Sequence, residues 1–397
     1  MSARIAFVTH SHYPQEPRAR RMAEAVATAG HRVEMICLRP PGDLPEEEVN
    51  GVRIHRVPVS HAQGQGARGY VSEYARFFRA AASRLLQEHR REPFALVQVY
   101  NPPDILALAT LPARLGGARV VLDVRDLAPE LYQSRFGLGA NHPLARALRA
   151  QERLACQYAD AVTVCTEWQK RLQAARGIPI SKLTVILNSP DEAIFARPLP
   201  PAAPAGTRIV YHGAVLKRYG VETLLRAAPA IARERPDLHL DIYGEGDYLP
   251  EARRLAGVLG VADRTTFHGY VPIVHLPAAL NGATIGVAPV VRDAFTETIL
   301  PTKILEYAFL GIPVVAAWTA NIEENFPEGA VTFFESANPD DLAAKALVLC
   351  ADREQARVQT AVARERVASY GWQRQKAAYL ALIEGLLRRP SGKEADS

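Results

Sequence analysis

A lysine and a glutamate three positions apart follow a helix-start signal in the last third of the chain. Lys303 and Glu306 come directly after Pro301 and Thr302, which favour the first turn of a helix. That turn offers unpaired backbone amides and a partial positive charge, both of which suit a phosphate. The lysine adds a cation, and the carboxylate can accept hydrogen bonds from two neighbouring hydroxyl groups. The spacing therefore predicts a nucleoside diphosphate site; the alternative is an ordinary Lys–Glu pair on an exposed helix.

Short apolar runs alternate with longer amphipathic segments, and this order occurs twice along the chain. The runs Ile5–Thr9, Leu96–Tyr100 and Val120–Asp123 are examples from the first half, and Thr207–Tyr211 and Leu238–Tyr243 from the second. Nearly continuous apolar strands separated by helices are typical of a parallel sheet covered on both faces. We predict an α/β fold of two doubly wound, Rossmann-like domains facing each other across a cleft, with ligands at the carboxyl ends of the strands.

Proline marks the boundary between the two halves. Residues 196–206 contain four prolines and neither a strand nor a helix pattern, so we interpret them as a linker. Residues 1–195 then form the first domain and residues 207–371 the second. The first strand is followed by His10–Pro14 without a glycine, and Gly244–Gly246 lacks the third glycine of a dinucleotide-binding turn. A nicotinamide-dependent oxidoreductase is therefore disfavoured.

Composition excludes several other classes. The chain has 397 residues, of which 48% are hydrophobic and 22% charged, so it can bury sizeable cores. Its four cysteines are widely separated, which disfavours a disulfide framework and a structural zinc site. The first residues read as a strand rather than a signal peptide, and no apolar run reaches the ~18 residues of a spanning helix. We expect a cytoplasmic protein.

Several ordered segments resemble glycosyltransferase family 4, a large group of retaining enzymes with the GT-B fold. The resemblance extends from Ile5 to about Leu387. It rests on seven segments, namely HYPQEPRARRMAEAVATAGHRVEMI, DVRDLAPELY, TVILNSPDEAIF, YHGAVLKRYGVETLL, DIYGEGDY, TFHGYVP and PTKILEYAFLGIPVV. The last is the best single signature. One such segment would be weak evidence, whereas seven in the right order are strong.

The resemblance implies transfer of a sugar from a nucleotide sugar, with retention at the anomeric carbon. UDP is the favoured nucleotide and GDP the second option, and neither a metal nor another cofactor is expected. The donor would bind to the second domain and the acceptor to the first, while helix 372–387 would pack back on the first domain. The residues implied for the donor are Gly213, Lys217, Arg218, Gly244, Gly246, Tyr270, Val271, Pro272, Glu297, Thr298, Leu300, Thr302, Lys303 and Glu306.

Among these, Glu306 is expected to hold the ribose hydroxyls, and Lys303 to clamp the diphosphate together with Lys217 or Arg218. Lys303 and Glu306 also count as catalytic, with Arg125 and Asp126 of the first domain. A structural ion network around Arg125 is the alternative for that pair. The acceptor side is expected to include His12, Tyr13, Arg18 and Arg21, although these arginines could equally form a solvated face.

The chain departs from the family pattern at three places. Thr298 stands where the family has a glutamate eight residues before Glu306, and Glu297 is one residue away. Ala214 and Tyr219 replace an arginine and a lysine of the phosphate loop. Arg125 replaces a histidine, and since arginine stays protonated it cannot act as a general base. These departures leave the donor sugar open.

The expected reaction adds a sugar to a glycan or lipid-linked acceptor during synthesis of a cell-surface polysaccharide or glycolipid. Alternatives are a sugar-nucleotide 2-epimerase of the same fold and a non-catalytic nucleotide-sugar-binding protein. Residues 1–200 carry 26 Lys and Arg against 19 Asp and Glu. This excess would suit peripheral contact with the anionic inner face of the membrane, or it reflects arginines dispersed over solvated helices. We expect no nucleic-acid partner.

Overall fold

A computed structural model describes residues 2–59, 67–195 and 206–388. They form two compact units. The first contains the residues up to Asn188 together with those from Gln375 onward, and the second contains Ser189–Arg374. All of the proposed linker except Gly206 lies outside the described residues. No helix in the described ranges combines the length and apolar character needed to cross a membrane.

The first unit is built on an eight-stranded sheet. Its order is β3-β4-β2-β1-β5-β6-β7-β8, and every neighbouring pair is parallel except β3 with β4. The strands are β1 (Arg4–Val8), β2 (Arg32–Leu38), β3 (Glu46–Val49), β4 (Val52–Val57), β5 (Leu96–Tyr100), β6 (Arg119–Val124), β7 (Ala161–Val164) and β8 (Leu183–Val185). Strand β3 is absent from the sequence-based expectation because three consecutive glutamates disfavour a strand. At the sheet edge Glu46 and Glu47 form ion pairs with arginines, and such charges also discourage pairing with another chain.

Helices cover this sheet. They are α1 (Pro17–Thr28), α2 (Ala67–Arg91), α3 (Leu111–Leu115), α4 (Ala128–Phe136), α5 (Pro143–Tyr158) and α6 (Glu167–Ala175), with 3-10 turns at Asp104–Thr110 and Ile180–Lys182. The core between sheet and helices includes Val97, Leu106, Leu122 and Val162, all fully buried. Burial of β1 and β5 at every position explains why both strands are apolar apart from Arg4 and Gln98.

The second unit is built on a six-stranded, wholly parallel sheet of order β11-β10-β9-β12-β13-β14. Its strands are β9 (Arg208–His212), β10 (His239–Tyr243), β11 (Thr265–Gly269), β12 (Ile285–Ala288), β13 (Val314–Ala317) and β14 (Thr332–Phe334). Its helices are α7 (Glu192–Phe195), α8 (Val221–Glu234), α9 (Leu249–Val258), α10 (Leu276–Leu280), α11 (Thr302–Leu310), α12 (Ala320–Asn325), α13 (Pro339–Ala351) and α14 (Arg353–Ala368), with 3-10 turns at Lys217–Tyr219 and Ala262–Arg264. Helix α15 (Trp372–Arg388) begins in this unit, and its residues from Gln375 belong to the first.

Strand order identifies where each unit offers a ligand site. In the first sheet the order reverses between β1 and β5, and in the second between β9 and β12. Open parallel sheets bind ligands outside the carboxyl ends of the strands at such a reversal. The segment after β9 therefore becomes the expected site of the second unit, and it begins at Gly213. The predicted fold class, two doubly wound α/β units, is confirmed.

Candidate active site

Helix α11 starts directly after Pro301, as its sequence predicts, and ends at Gly311. Lys303 and Glu306 both lie on its buried side, with only 7% and 6% of their surfaces exposed. Charged side chains are almost never this buried without a partner. The alternative of an ordinary exposed Lys–Glu pair is therefore wrong.

The Lys303 ammonium group is enclosed by aromatic rings and a glycine. Its Nζ atom lies 3.9 Å from the centre of the Tyr211 ring and 5.6 Å from that of Tyr219. A Cβ atom added to Gly213 would be 3.3 Å from Nζ, so the glycine leaves room for the lysine. Burial lowers the pKa of Lys303 to about 7, against an opposing effect of Glu306. A bound anion would favour the protonated form of this group.

Glu306 holds a carboxylate oxygen ready for a ligand. Its Oε2 atom is 3.1 Å from Nε2 of His212, and both residues are buried. The two atoms are not aligned for a hydrogen bond, and neither has another partner in the described part of the chain. Because buried polar atoms in native proteins are nearly always hydrogen-bonded, this pair favours an external donor such as a hydroxyl group.

Three glycine residues bring strand ends together next to Lys303. Gly213, Gly244 and Gly246 have φ values of +118°, +130° and +157°, which side chains other than glycine rarely adopt. A Cβ at Gly244 would lie 1.9 Å from the Gly213 carbonyl oxygen, and one at Gly246 would lie 2.4 Å from that of Val215. The Gly244 amide donates to the Gly269 carbonyl at 2.7 Å. Backbone atoms thus form the wall where β9, β10 and β11 end.

The two neighbouring cations of the phosphate-loop segment differ in their surroundings. Lys217 is exposed, whereas Arg218 is half-buried. The Arg218 guanidinium lies 5.5 Å from the ring centre of Phe295, in the segment after β12. Its Nε atom is buried and has no hydrogen-bond partner among the described residues. Arg218 is therefore the better placed of the two to meet an anion at this edge of the sheet.

Glu297, the acidic residue next to position 298, is held in place by neighbouring groups. Glu297 forms an ion pair with Arg292 and accepts a hydrogen bond of 3.3 Å from the Ala320 amide, at the start of α12. Thr298 is buried and donates its hydroxyl hydrogen to the Phe295 carbonyl at 2.8 Å. Glu297 is thus fixed by a cation and a helix start, and Thr298 stabilises the loop that carries Phe295.

The remaining donor-side residues lie around this group. Tyr270 follows Gly269 at the end of β11 and is 65% exposed, Val271 is half-buried and Pro272 is exposed. Leu300 and Thr302 are half-buried on either side of Pro301. The structure brings together Gly213, Gly244, Lys303 and Glu306 by direct geometry. Tyr270–Pro272 are connected to this group only indirectly. They follow Gly269, whose carbonyl accepts the hydrogen bond from the Gly244 amide.

In the first unit, Arg125 is held in place by several contacts. Its Nε and Nη2 atoms donate to the Asn101 carbonyl at 3.0 and 2.9 Å, and its Nη1 atom is 3.0 Å from a carboxylate oxygen of Glu16. Burial would lower the pKa of Arg125, but Glu16 and Asp126 outweigh it and the pKa is raised. The Asp126 carbonyl accepts a hydrogen bond of 2.6 Å from the Asn101 side chain. Arg125 therefore stays charged and positions the loops after β5 and β6.

The acceptor-side candidates are largely built into the fold. Arg18 is 3% exposed and forms two hydrogen bonds, of 2.8 and 2.7 Å, to the carboxylate of Asp123. It does not lie on a solvated face. Arg21 donates to the Asn188 side chain at 2.8 Å, and His12 is half-buried. Tyr13 is fully buried, which raises its pKa, and its hydroxyl has no hydrogen-bond partner within the described ranges.

Sequence reasoning assigned no role to His212, Tyr211 or Phe295. His212 is the last residue of β9, and a polar side chain at the carboxyl end of a central parallel strand is the signal that could have found it. Tyr211 and Phe295 read as core residues because their rings are apolar. Only the tertiary structure shows that these rings face cations.

The comparisons with known proteins match this architecture. Residues 15–189 match the family described as "Glycosyl transferase 4-like domain", and residues 206–352 match "Glycosyl transferases group 1". The chain belongs to the family 4-like glycosyltransferases. This glycosyltransferase is an enzyme that uses a nucleotide-sugar donor.

Relatives of this glycosyltransferase include a glucosyltransferase and a mannosyltransferase. It is 26% identical to 2-deoxystreptamine glucosyltransferase of Streptomyces kanamyceticus over 321 aligned residues. The alignment covers 75% of this chain and 79% of the relative. It is 29% identical over 303 residues to the GDP-mannose-dependent alpha-(1-6)-phosphatidylinositol monomannoside mannosyltransferase of Mycobacterium tuberculosis, with coverage of 73% and 74%.

Solved structures show the same GT-B fold as this glycosyltransferase. Sucrose-phosphate synthase from Thermosynechococcus elongatus has a TM-score of 0.77 at 19% identity, covering 97% of this chain and 99% of its own. The Anabaena protein HepE in complex with UDP-glucose has a TM-score of 0.72 at 14% identity, with coverage of 96% and 100%. At these identities the likeness concerns the fold.

Proposed function

We propose that this glycosyltransferase transfers a sugar from a UDP-sugar, with retention at the anomeric carbon, to a glycan or lipid-linked acceptor of the cell surface. The observation that carries the proposal is the buried pair of Lys303 and Glu306 at the start of α11, next to the Gly213 turn. A cation, helix amides and an open carboxylate oxygen match a diphosphate and a ribose.

In this proposal each residue has a separate task. Lys303 and Arg218 neutralise the diphosphate, and Gly213 lets the backbone approach it. The carboxylate of Glu306 accepts hydrogen bonds from the ribose hydroxyls, with His212 beside it at 3.1 Å. Such fixed cations act where charge develops on the leaving group, which is the main catalytic demand of this chemistry.

The reaction breaks the bond between the anomeric carbon and the diphosphate oxygen and forms a bond to the acceptor oxygen on the same face of the sugar. The acceptor proton passes to the leaving phosphate. Arg125 supports this route over a protein base because its guanidinium is charged and paired with Glu16. Its role is to position the loops of the first unit.

The relatives and structural neighbours bear on which nucleotide the donor carries. The UDP and UDP-glucose complexes of HepE favour UDP, whereas the mycobacterial mannosyltransferase uses GDP-mannose. UDP is the first choice and GDP the second. A cytoplasmic enzyme with peripheral contact to the membrane would fit a donor made in the cytoplasm and a lipid-linked acceptor.

Removing the Glu306 carboxylate is expected to abolish recognition of the ribose. In Glu306→Ala, the affinity for UDP should fall at least about 100-fold, since the two hydrogen bonds to this charged group each contribute ~1.5–3 kcal/mol. The affinity for 2′,3′-dideoxyuridine diphosphate should hardly change, because that ligand lacks the hydroxyls. Isothermal titration of both ligands measures the difference, and the GDP pair is used if GDP binds the wild type better.

The control is Glu306→Gln, which keeps one acceptor oxygen and should lose an intermediate amount. Equal losses for UDP and its dideoxy analogue would contradict the assignment of Glu306 to the ribose. Transfer itself is tested by UDP release with and without acceptor and by the anomeric configuration of the product. A product of inverted configuration would overturn retention.

The binding of UDP is expected to weaken as the pH rises above 7. Burial lowers the pKa of Lys303 to about 7 in the free protein, and a bound diphosphate needs the protonated lysine. Below pH 7 the proton is already present, whereas above it binding must take up a proton, which costs up to ~1.4 kcal/mol per pH unit. The dissociation constant for UDP should rise up to about tenfold per unit between pH 7 and 9.

Lys303→Arg serves as the matched variant for this pH series. Arginine keeps its proton across the range, so the profile of the variant should be flat even if its affinity is lower. A wild-type profile as flat as that of Lys303→Arg would show that Lys303 does not take up the proton.

A further inference from the structure

A separate cavity of about 440 Å³ lies in the first unit and shares no lining residue with the donor site. It is lined by residues of α2, of the 3-10 turn Asp104–Thr110 with the preceding Pro103, of α4 and of α5. Its walls are mainly aromatic and aliphatic and include Tyr74, Phe78, Ile105, Tyr132, Phe136 and Leu148. A volume of this size is within the usual range for small-molecule sites, ~300–1,000 Å³.

The walls present little that a polar ligand could bind. The Tyr132 hydroxyl donates to the Tyr74 hydroxyl at 3.2 Å, and the Tyr70 hydroxyl is bonded to Arg135. Two lining residues, Val71 and Leu144, are 68% and 37% exposed, so apolar surface continues to the outside. Apolar surface that leads from solvent into a cavity is typical of sites for apolar ligands.

The exposed charged residues around the cavity are all positive. The acidic residues of the four lining elements near the cavity are all buried: Glu73, Asp104, Glu130 and Glu152. Glu73 is 3.0 Å from His10, while Glu130 and Glu152 are paired with Arg176. The exposed charged residues with described side chains on α2, α4 and α5 are all arginines, namely Arg76, Arg79, Arg90, Arg91, Arg135, Arg146 and Arg153.

Two of these arginines are at the cavity itself. Arg79 belongs to its lining, and the Arg135 guanidinium lies 4.2 Å from the centre of the Tyr70 ring, which also lines it. Arg79 and Arg135 thus supply exposed cations at the cavity for an anionic group, while the apolar part of such a ligand would be buried among aromatic rings.

We propose that this cavity binds a single lipid phosphate, with the chain inside and the phosphate at Arg79 and Arg135. Its walls come from four elements on different sides, which suits a single chain and distinguishes it from a flat helix face lying on a membrane. The assignment of this lipid as the anchor of the acceptor rests on the proposed function. The binding itself does not.

The test is isothermal titration of the full-length protein with decyl phosphate below its micelle concentration. Decanol and decyltrimethylammonium are the comparison ligands. We expect binding of one decyl phosphate per chain, at least tenfold tighter than decanol, and no binding of the cationic ligand. Val71→Glu puts an anion at the mouth and should weaken decyl phosphate at least tenfold. Val258→Glu is the matched control, since Val258 is 70% exposed on the second unit, and should have no effect.

Three results would overturn the proposal. These are equal affinities for decyl phosphate and decanol, equal binding by the wild type and Val71→Glu, or binding only to vesicles of anionic phospholipid and not to the monomeric ligand. Arg79→Ala adds a second measurement, with loss of decyl phosphate but not decanol affinity expected. UDP affinity is measured in parallel. A wild-type protein that binds decyl phosphate but not UDP would contradict the donor-site proposal, whereas the lipid-phosphate proposal would still hold.

Discussion

Replacing Lys303 by methionine is expected to lower kcat/KM about 10²–10³-fold, the usual loss when one fixed charge-stabilising group is removed from an active site. The reason is that the Nζ atom is the buried cation beside the Gly213 turn, where the leaving diphosphate is proposed to sit. Methionine has a similar length and flexibility, so the packing against Tyr211 is retained. Steady-state kinetics with the preferred donor and acceptor measure the loss.

The same substitution is expected to raise the free energy of unfolding. Burial lowers the pKa of Lys303 to about 7, below the unfolded value of ~10.4, so folding works against the charged form. This cost is fully present below pH 7 and disappears as the pH rises towards the unfolded pKa. The gain in stability of Lys303→Met should therefore be largest at and below pH 7 and fade by about pH 10.

The control is Lys345→Met. Lys345 is half-buried on α13 of the same unit. It should change neither activity nor stability much. Denaturant unfolding at several pH values separates the two effects in each variant. A Lys303→Met protein that keeps full activity would show that this lysine has no part in transfer. One that is less stable at neutral pH would show that its burial is not costly.

Replacing Gly244 by alanine is expected to destabilise the second unit by about 3–5 kcal/mol, at the upper end of single-residue effects. The added Cβ would lie 1.9 Å from the Gly213 carbonyl oxygen, and that atom is backbone that cannot move aside. The φ value of +130° adds strain for any residue other than glycine. Donor binding should be lost as well, because the clash would displace Gly213, which lies beside the Lys303 ammonium group. Chemical denaturation and UDP titration give the two readouts.

Two further alanine variants calibrate this result. Gly257→Ala lies in helix α9 with open space around the added methyl, and it should stabilise the protein by up to ~1 kcal/mol. Gly213→Ala would meet only the flexible end of Lys303 at 3.3 Å, but its φ value of +118° strains alanine, so both stability and donor affinity should fall. If Gly244→Ala were as stable as Gly257→Ala, the close backbone contact would not exist in solution.

Much of the donor site could be predicted from local sequence. The start of α11 at Thr302 follows from the Pro301–Thr302 signal, and the spacing of Lys303 and Glu306 places both side chains on neighbouring parts of one helix face. The glycines after β9 and β10 are where the chain needs positive φ values. These features depend on residues within one or two turns, and such neighbours are visible in the sequence.

Other features depend on residues far apart in the chain. Arg18 could be interpreted as a solvated or acceptor-binding cation, but its partner is Asp123, 105 positions later. The cavity of the first unit collects side chains from α2, α4 and α5, and α4 has only a weak apolar face by itself. Periodicity shows that a face is apolar without showing whether its neighbours fill the space against it.

Three features of this glycosyltransferase follow from its sequence alone. The alternation of strands and helices determined the two α/β units, and the ordered segments determined the glycosyltransferase family and the helix that carries Lys303 and Glu306. Tertiary structure alone decided that Lys303 is buried between Tyr211 and Tyr219, that its pKa is lowered, and that His212 lies 3.1 Å from Glu306. The physical reason is that spacing sets local neighbours, whereas burial and charge environment are properties of the packed sheet and its connections.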